Sequence, residues 1–118
     1  MGLAEFLVVI PKKLKGCVIM KEVTASGWKN KGGTSNRSCS CGSWKSHWIN
    51  CSGKPWPKTC SVSRCIFPAA SGLHVINPDV SGEKIVPGCA SCNQRNDEFA
   101  LKNGVTLVSA NKQDTCQK

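Results

Sequence analysis

Four of the nine cysteines fall in two spaced pairs, Cys60-x4-Cys65 and Cys89-x2-Cys92, and no other feature restricts the fold of this chain as much. Paired thiolates on two tight turns are how a short chain builds a tetrahedral zinc site, each pair supplying two ligands. A metal shared by the pairs would pin the residues between them to whatever follows Cys92. Four thiolates close the coordination sphere, so the zinc that the spacing implies is structural. A disulfide framework is the competing use of so many cysteines. The odd count leaves one thiol over, and the first residues do not read as an export signal: Glu5 precedes the apolar run Phe6–Ile10, which is short for a signal core. Phe6 stands where a myristoylation motif needs Ser or Thr, no run is long enough to span a membrane, and the sequons at Asn36 and Asn50 read as chance matches. The expectation is reduced, zinc-binding cysteines in an intracellular protein of the cytoplasm or nucleoid.

A chain of 118 residues is one domain by length, here taken as 1–36, N-terminal strands and a basic loop, followed by a core over 37–118. Aromatic residues are few and tyrosine is absent. The polar stretch Thr24–Ser43 offers little to a core, so metal crosslinks are a natural supplement to a small apolar interior. The net charge of +9 is uneven: ten Lys/Arg against Glu5 and Glu22 up to residue 60, then six against five acidic residues. A four-thiolate zinc contributes −2 and a three-thiolate, one-histidine zinc −1, so two filled sites leave about +6. A cationic surface gains affinity for a polyanion through counterion release. Lys29, Lys31, Arg37, Lys54 and Lys58 are the candidate phosphate contacts. Trp28, Trp44, Trp48 and Trp56 lie among these cations; most are expected in the core, with Trp28 or Trp56 left to stack on unpaired bases.

Phe6–Ile10 and Cys17–Val23 read as strands, Thr24–Ser43 as loop, and Ser43 as the N-cap of a short helix with Trp44 and Trp48 on one face. Ser71–Ile76 and Glu83–Val86 read as a hairpin turned through residues 77–82. Ala90 to about Leu101 reads as a helix, Asn103-Gly104 as its end, and Val105–Ala110 as a last strand. The order knuckle, hairpin, knuckle, helix gives an α+β fold of treble-clef type.

The string CSVSRC…GLHV…EKIVPGCASCNQ resembles the zinc-bearing HNH, or ββα-metal, endonucleases. That resemblance covers roughly residues 37–117. It implies His74 as a general base that activates water and Asn93 as the residue that holds the loop. The third letter, a histidine on the closing helix, is missing, and Leu73 stands where a metal ligand often precedes the base. Asp97, Glu98 and Asn103 are the remaining oxygen or amide candidates for a catalytic Mg2+ or Mn2+. The string CxCGSWxxHW with a terminal cysteine resembles small bacterial HNH-like proteins, which implies a second structural zinc at Cys39, Cys41, His47 and Cys116. Cys51 is the rival ligand, and Cys17 a small core residue. The expectation is a two-zinc, HNH-like domain that binds nucleic acid and is catalytically degenerate. The alternatives are a metal-dependent nuclease using His74, and a zinc-stapled module for an acidic protein partner.

Overall fold

A computed structural model of the chain describes residues 19–21, 25–32 and 43–110. Within these, the elements are β1 (Ile19–Lys21), β2 (Lys29–Asn30), α1 (Trp44–Ser52), β3 (Ser71–Asn77), β4 (Val80–Gly88), α2 (Ala90–Asn93) and β5 (Thr106–Ser109). The strands form one antiparallel sheet in the order β1-β5-β4-β3-β2. The α+β class expected from the sequence is therefore present. No described helix is long and apolar enough to cross a membrane. The expected strand at Phe6–Ile10 lies outside the described residues.

The β3–β4 hairpin is the centre of the sheet. Its turn is tighter than residues 77–82: Asn77 already pairs with Val80, and Asn77 Oδ1 accepts the Asp79 N–H at 2.9 Å. This side-chain mimic of a backbone turn is what asparagine provides at such corners. The same residue donates from Nδ2 to the Ser26 carbonyl at 2.8 Å, fastening the segment before β2 to the hairpin.

Alternation along the strands sends side chains to two opposite cores. On one face Leu73, Val75, Val86 and Leu107 gather with Trp28, Val62, Phe99, Leu101 and three of the paired cysteines. On the other, Ile85, Val108 and Ala110 meet Trp48 and Cys51 of α1, with Trp44, Ile49 and Trp56 alongside. Helix α1 begins as the sequence suggests. Ser43 caps it by accepting the Ser46 N–H at 3.0 Å, and Gly53 ends it at φ 70°, its N–H bonded to the Ile49 carbonyl. Trp48 Nε1 donates to the Thr106 carbonyl at 3.0 Å and so ties helix to sheet. Gly72 permits this close approach. A methyl group there would lie 2.9 Å from both Ile85 Cγ2 and Trp44 Cβ.

Two expectations fail here. The stretch Thr24–Ser43 is not loop throughout, since residues 29–30 add a strand and Trp28 is fully buried in the core. Trp28 is therefore no stacking platform; burying so large an indole is worth roughly 1.5–3 kcal/mol, which outweighs the polar composition around it. Nor does a helix run from Ala90 to Leu101. It stops after one turn, because the following residues are drawn into extended pairing. Phe99 exchanges both backbone hydrogen bonds with Trp28 (2.8 and 3.1 Å), and the Ala100 carbonyl accepts the Ser63 N–H at 2.8 Å. Tertiary pairing overrides a helical propensity of only tenths of a kcal/mol per residue.

Candidate metal centre

Each cysteine pair sits on a turn whose backbone points two sulfurs inward. In the first, the Cys65 N–H bonds to the Val62 carbonyl at 3.0 Å, closing a turn in which Arg64 takes the left-handed φ of 69°. In the second, Cys89 N-caps α2. Its Sγ accepts the Cys92 N–H at 3.4 Å and its carbonyl accepts the Asn93 N–H at 3.0 Å. The sheet brings the turns together: β4 ends at Gly88, paired with Ser71, and the Ser61 N–H reaches the Pro87 carbonyl at 2.9 Å.

The four sulfurs lie within 4.8 Å of one another. Cys65 Sγ and Cys89 Sγ are 3.7 Å apart. A tetrahedron with zinc–sulfur bonds of about 2.3 Å has sulfur–sulfur edges of about 3.8 Å, which the Cys65–Cys89 edge matches. Cys60, Cys89 and Cys92 are buried, Cys65 is partly exposed, and all four are free thiols. Their electrostatics also favour a cation. Burial pushes the Cys60 thiol up, and burial together with the neighbouring Cys89 and Cys60 sulfurs pushes Cys92 well above the ordinary range. Burial opposes ionisation of Cys89 too, but hydrogen bonds from Cys92, Cys65 and Cys60 bring it down to about 7. One thiolate is thus stabilised at the expense of its neighbours, and only a bound cation lets all four ionise together.

Two residues absent from the sequence reading support this cluster. Asn30 Nδ2 donates to the Cys92 carbonyl at 2.7 Å and to the Arg95 carbonyl at 3.0 Å, fixing the second turn to β2. Its Oδ1 is buried with no hydrogen-bond partner among the described residues. Lys102 Nζ donates to the Cys65 carbonyl at 2.7 Å. Neither has a motif; the separations of 62 and 37 residues give no local signal.

The other expected residues are distributed differently. His74 is buried on β3, on the face covered by α1, with Trp44 set edge-on at 4.4 Å and Glu83 Oε1 3.6 Å from its Nδ1. Asn93 is exposed on α2, and the side chain that holds the turn is Asn30 instead. Asp97 and Glu98 are exposed. Asp97 is gripped by both Arg95 Nε and Arg95 Nη2 (2.9 and 2.6 Å), and that pairing holds its carboxyl down at about 2. Asn103 is exposed in the turn before β5.

Cys39, Cys41 and Cys116 of the second expected zinc site, with Cys17 and Arg37, lie outside the described residues. His47 is fully buried on α1, and its Nε2–H donates to the Ser109 carbonyl at 2.7 Å. Burial lowers its pKa, against that hydrogen bond, so the ring is neutral. Cys51, the rival ligand, is buried on the same helix with its Sγ 4.0 Å from His47 Nε2. Among the candidate phosphate contacts, Lys29, Lys31, Lys54 and Lys58 are exposed, although Lys54 Nζ also donates to Thr106 Oγ1 at 2.7 Å. Trp56 is half-buried against Trp48 and donates to the Ala69 carbonyl at 2.9 Å.

No protein-family profile, curated protein or solved structure matches the chain.

Proposed function

We propose that this protein is a zinc-stapled, treble-clef-type domain that binds nucleic acid and has lost the catalytic apparatus of the HNH nucleases it resembles. The observation that carries the zinc reading is the four-sulfur cluster, gathered within 4.8 Å from two turns on either side of a hairpin. Zinc there would lock the arm before β3 to the turn after β4 and leave no open position for substrate. Loaded in this way, the domain presents a fixed surface, and its chemistry is that of its exposed cations.

Charge supports the nucleic-acid reading. Between Glu22 and Asp79 the chain has seven Lys/Arg and no acidic residue. Lysines on β2 and after α1 then have no carboxylate near them in sequence to compete with phosphate. A second zinc at Cys39, Cys41, His47 and Cys116 belongs to the same proposal.

One observation favours the nuclease alternative. Glu83 beside His74 Nδ1 is the arrangement that orients an imidazole base. Against it, the ring lies under Trp44, and the family's last histidine is absent. The deciding experiment is metal content measured on the reduced, intact protein, followed by a salt titration of DNA and RNA binding. Two zinc ions per chain and a steep salt slope are expected; one zinc removes the second site alone. No metal affinity, or salt-insensitive binding, would falsify the reading.

A further inference from the structure

The stretch between Lys58 and Ala69, which contains the first cysteine pair, is an arm of two antiparallel legs. The Cys60 N–H bonds to the Phe67 carbonyl at 2.9 Å, the Ala69 N–H to the Lys58 carbonyl at 3.0 Å, and Thr59 bridges Pro68. Its outer face is unusual for so small a protein. Ile66 is 81% exposed and Phe67 56% exposed, whereas the other large apolar side chains described are buried or partly covered. Adjacent exposed Ile and Phe are not needed by either core, and a contiguous apolar patch marks a contact surface.

The patch is also concave. Phe67, Pro68 and Ala70 face Cys89, Ala90 and Ser91 across an apolar cleft of about 280 Å3. That is at the small end of ligand pockets and suits one flat group better than a peptide helix. The same arm carries two exposed cations, Lys58 at its base and Arg64 at its tip. The arm lies inside the stretch that carries no acidic residue.

We infer that the arm is where single-stranded nucleic acid docks, with an unpaired base stacked on the Phe67 ring in the cleft and its flanking phosphates at Lys58 and Arg64. This rests on the nucleic-acid reading above and specifies its face and its substrate form. Charge selects the occupant, because an apolar protein surface would gain nothing from Lys58 and Arg64. The ring selects the form: in a duplex the base faces are stacked on one another, and only unpaired bases have a face to offer Phe67. Cys60 and Cys65 belong to the arm, so metal binding would fix the platform.

The test is fluorescence anisotropy of the zinc-loaded full chain with a labelled oligothymidylate, and with the same strand annealed to oligoadenylate. The parent protein should prefer the single strand. Phe67→Ala should weaken single-strand binding roughly 5- to 150-fold, the range for loss of one stacked base. Phe67→Trp should restore it. Lys58→Ala and Arg64→Ala should instead each reduce the log–log salt slope by about 0.7. Phe67 is exposed, so its truncation should leave the fold intact, as cobalt-thiolate absorption of each variant checks. If the parent binds nucleic acid but Phe67→Ala binds as well as the parent, the arm is not the site and the broader reading stands. If the parent binds neither strand form, both fail together. Capture of an acidic peptide in place of either strand, lost in Phe67→Ala, would overturn the inference in favour of a protein partner.

Discussion

Asn30 supplies the sharpest test of how the metal centre is held. Its amide makes two hydrogen bonds to carbonyls of the Cys92 turn, at 2.7 and 3.0 Å, from a strand otherwise remote in sequence. Asn30→Ala removes both. Each is worth about 0.5–1.5 kcal/mol net, giving roughly 1–3 kcal/mol in total. That total is roughly a tenfold loss of metal affinity or more, in the range for a residue behind a metal ligand. Asn30→Asp should be worse, since it loses both donors and places charge against two carbonyl oxygens. Competition with a chromophoric chelator measures the affinities, and cobalt substitution reports whether the site stays tetrahedral. The order parent, Asn30→Ala, Asn30→Asp is the prediction. An alanine variant within about twofold of the parent, or an aspartate variant that binds as tightly as the alanine one, would show that Asn30 does not position the turn.

A methyl group at Gly88 would meet Leu73 Cδ1 at 2.5 Å and Cγ at 2.9 Å, so Gly88→Ala should cost about 1–3 kcal/mol by overpacking beside Cys89. Gly104→Ala, at φ +83° in open space, should cost only about 1 kcal/mol; equal thermal shifts for the two would be inconsistent with that packing. His47 is held neutral by burial, its pKa below the ordinary 6.5. The unfolded chain therefore binds more protons in acid: stability is full above about pH 6.5 and is lost as pH falls through the lower folded value. Denaturant melts of His47→Gln should lose part of that acid sensitivity, because the amide can still donate to the Ser109 carbonyl. Supercoiled plasmid incubated with the metal-loaded protein and magnesium should stay uncut, since the His74 ring lies beneath Trp44; robust nicking abolished by His74→Ala would restore the nuclease reading.

The sequence by itself determined the four-thiol cluster, the capped helix at Trp44 and the central hairpin. Each is a local matter, written in ligand spacing, an N-cap hydroxyl or period-two alternation over a few residues. It also determined that positive charge gathers early in the chain. Only the tertiary structure decided what surrounds the cluster. Residues 94–101 read as helix from their own composition, yet Phe99 pairs with Trp28 and Leu101 with Val62, because those contacts bury aromatic and aliphatic surface that one more helical turn would leave in water. The same pairing pulls Trp28 out of a polar stretch and into the core. It also brings β2 close enough for Asn30, rather than Asn93, to hold the second turn. Ile66 and Phe67 read as ordinary apolar residues until the arm is folded back and shows that neither core has taken them in. Burial and long-range hydrogen bonding depend on which segments meet, and that is set by the whole chain, not by any window of it.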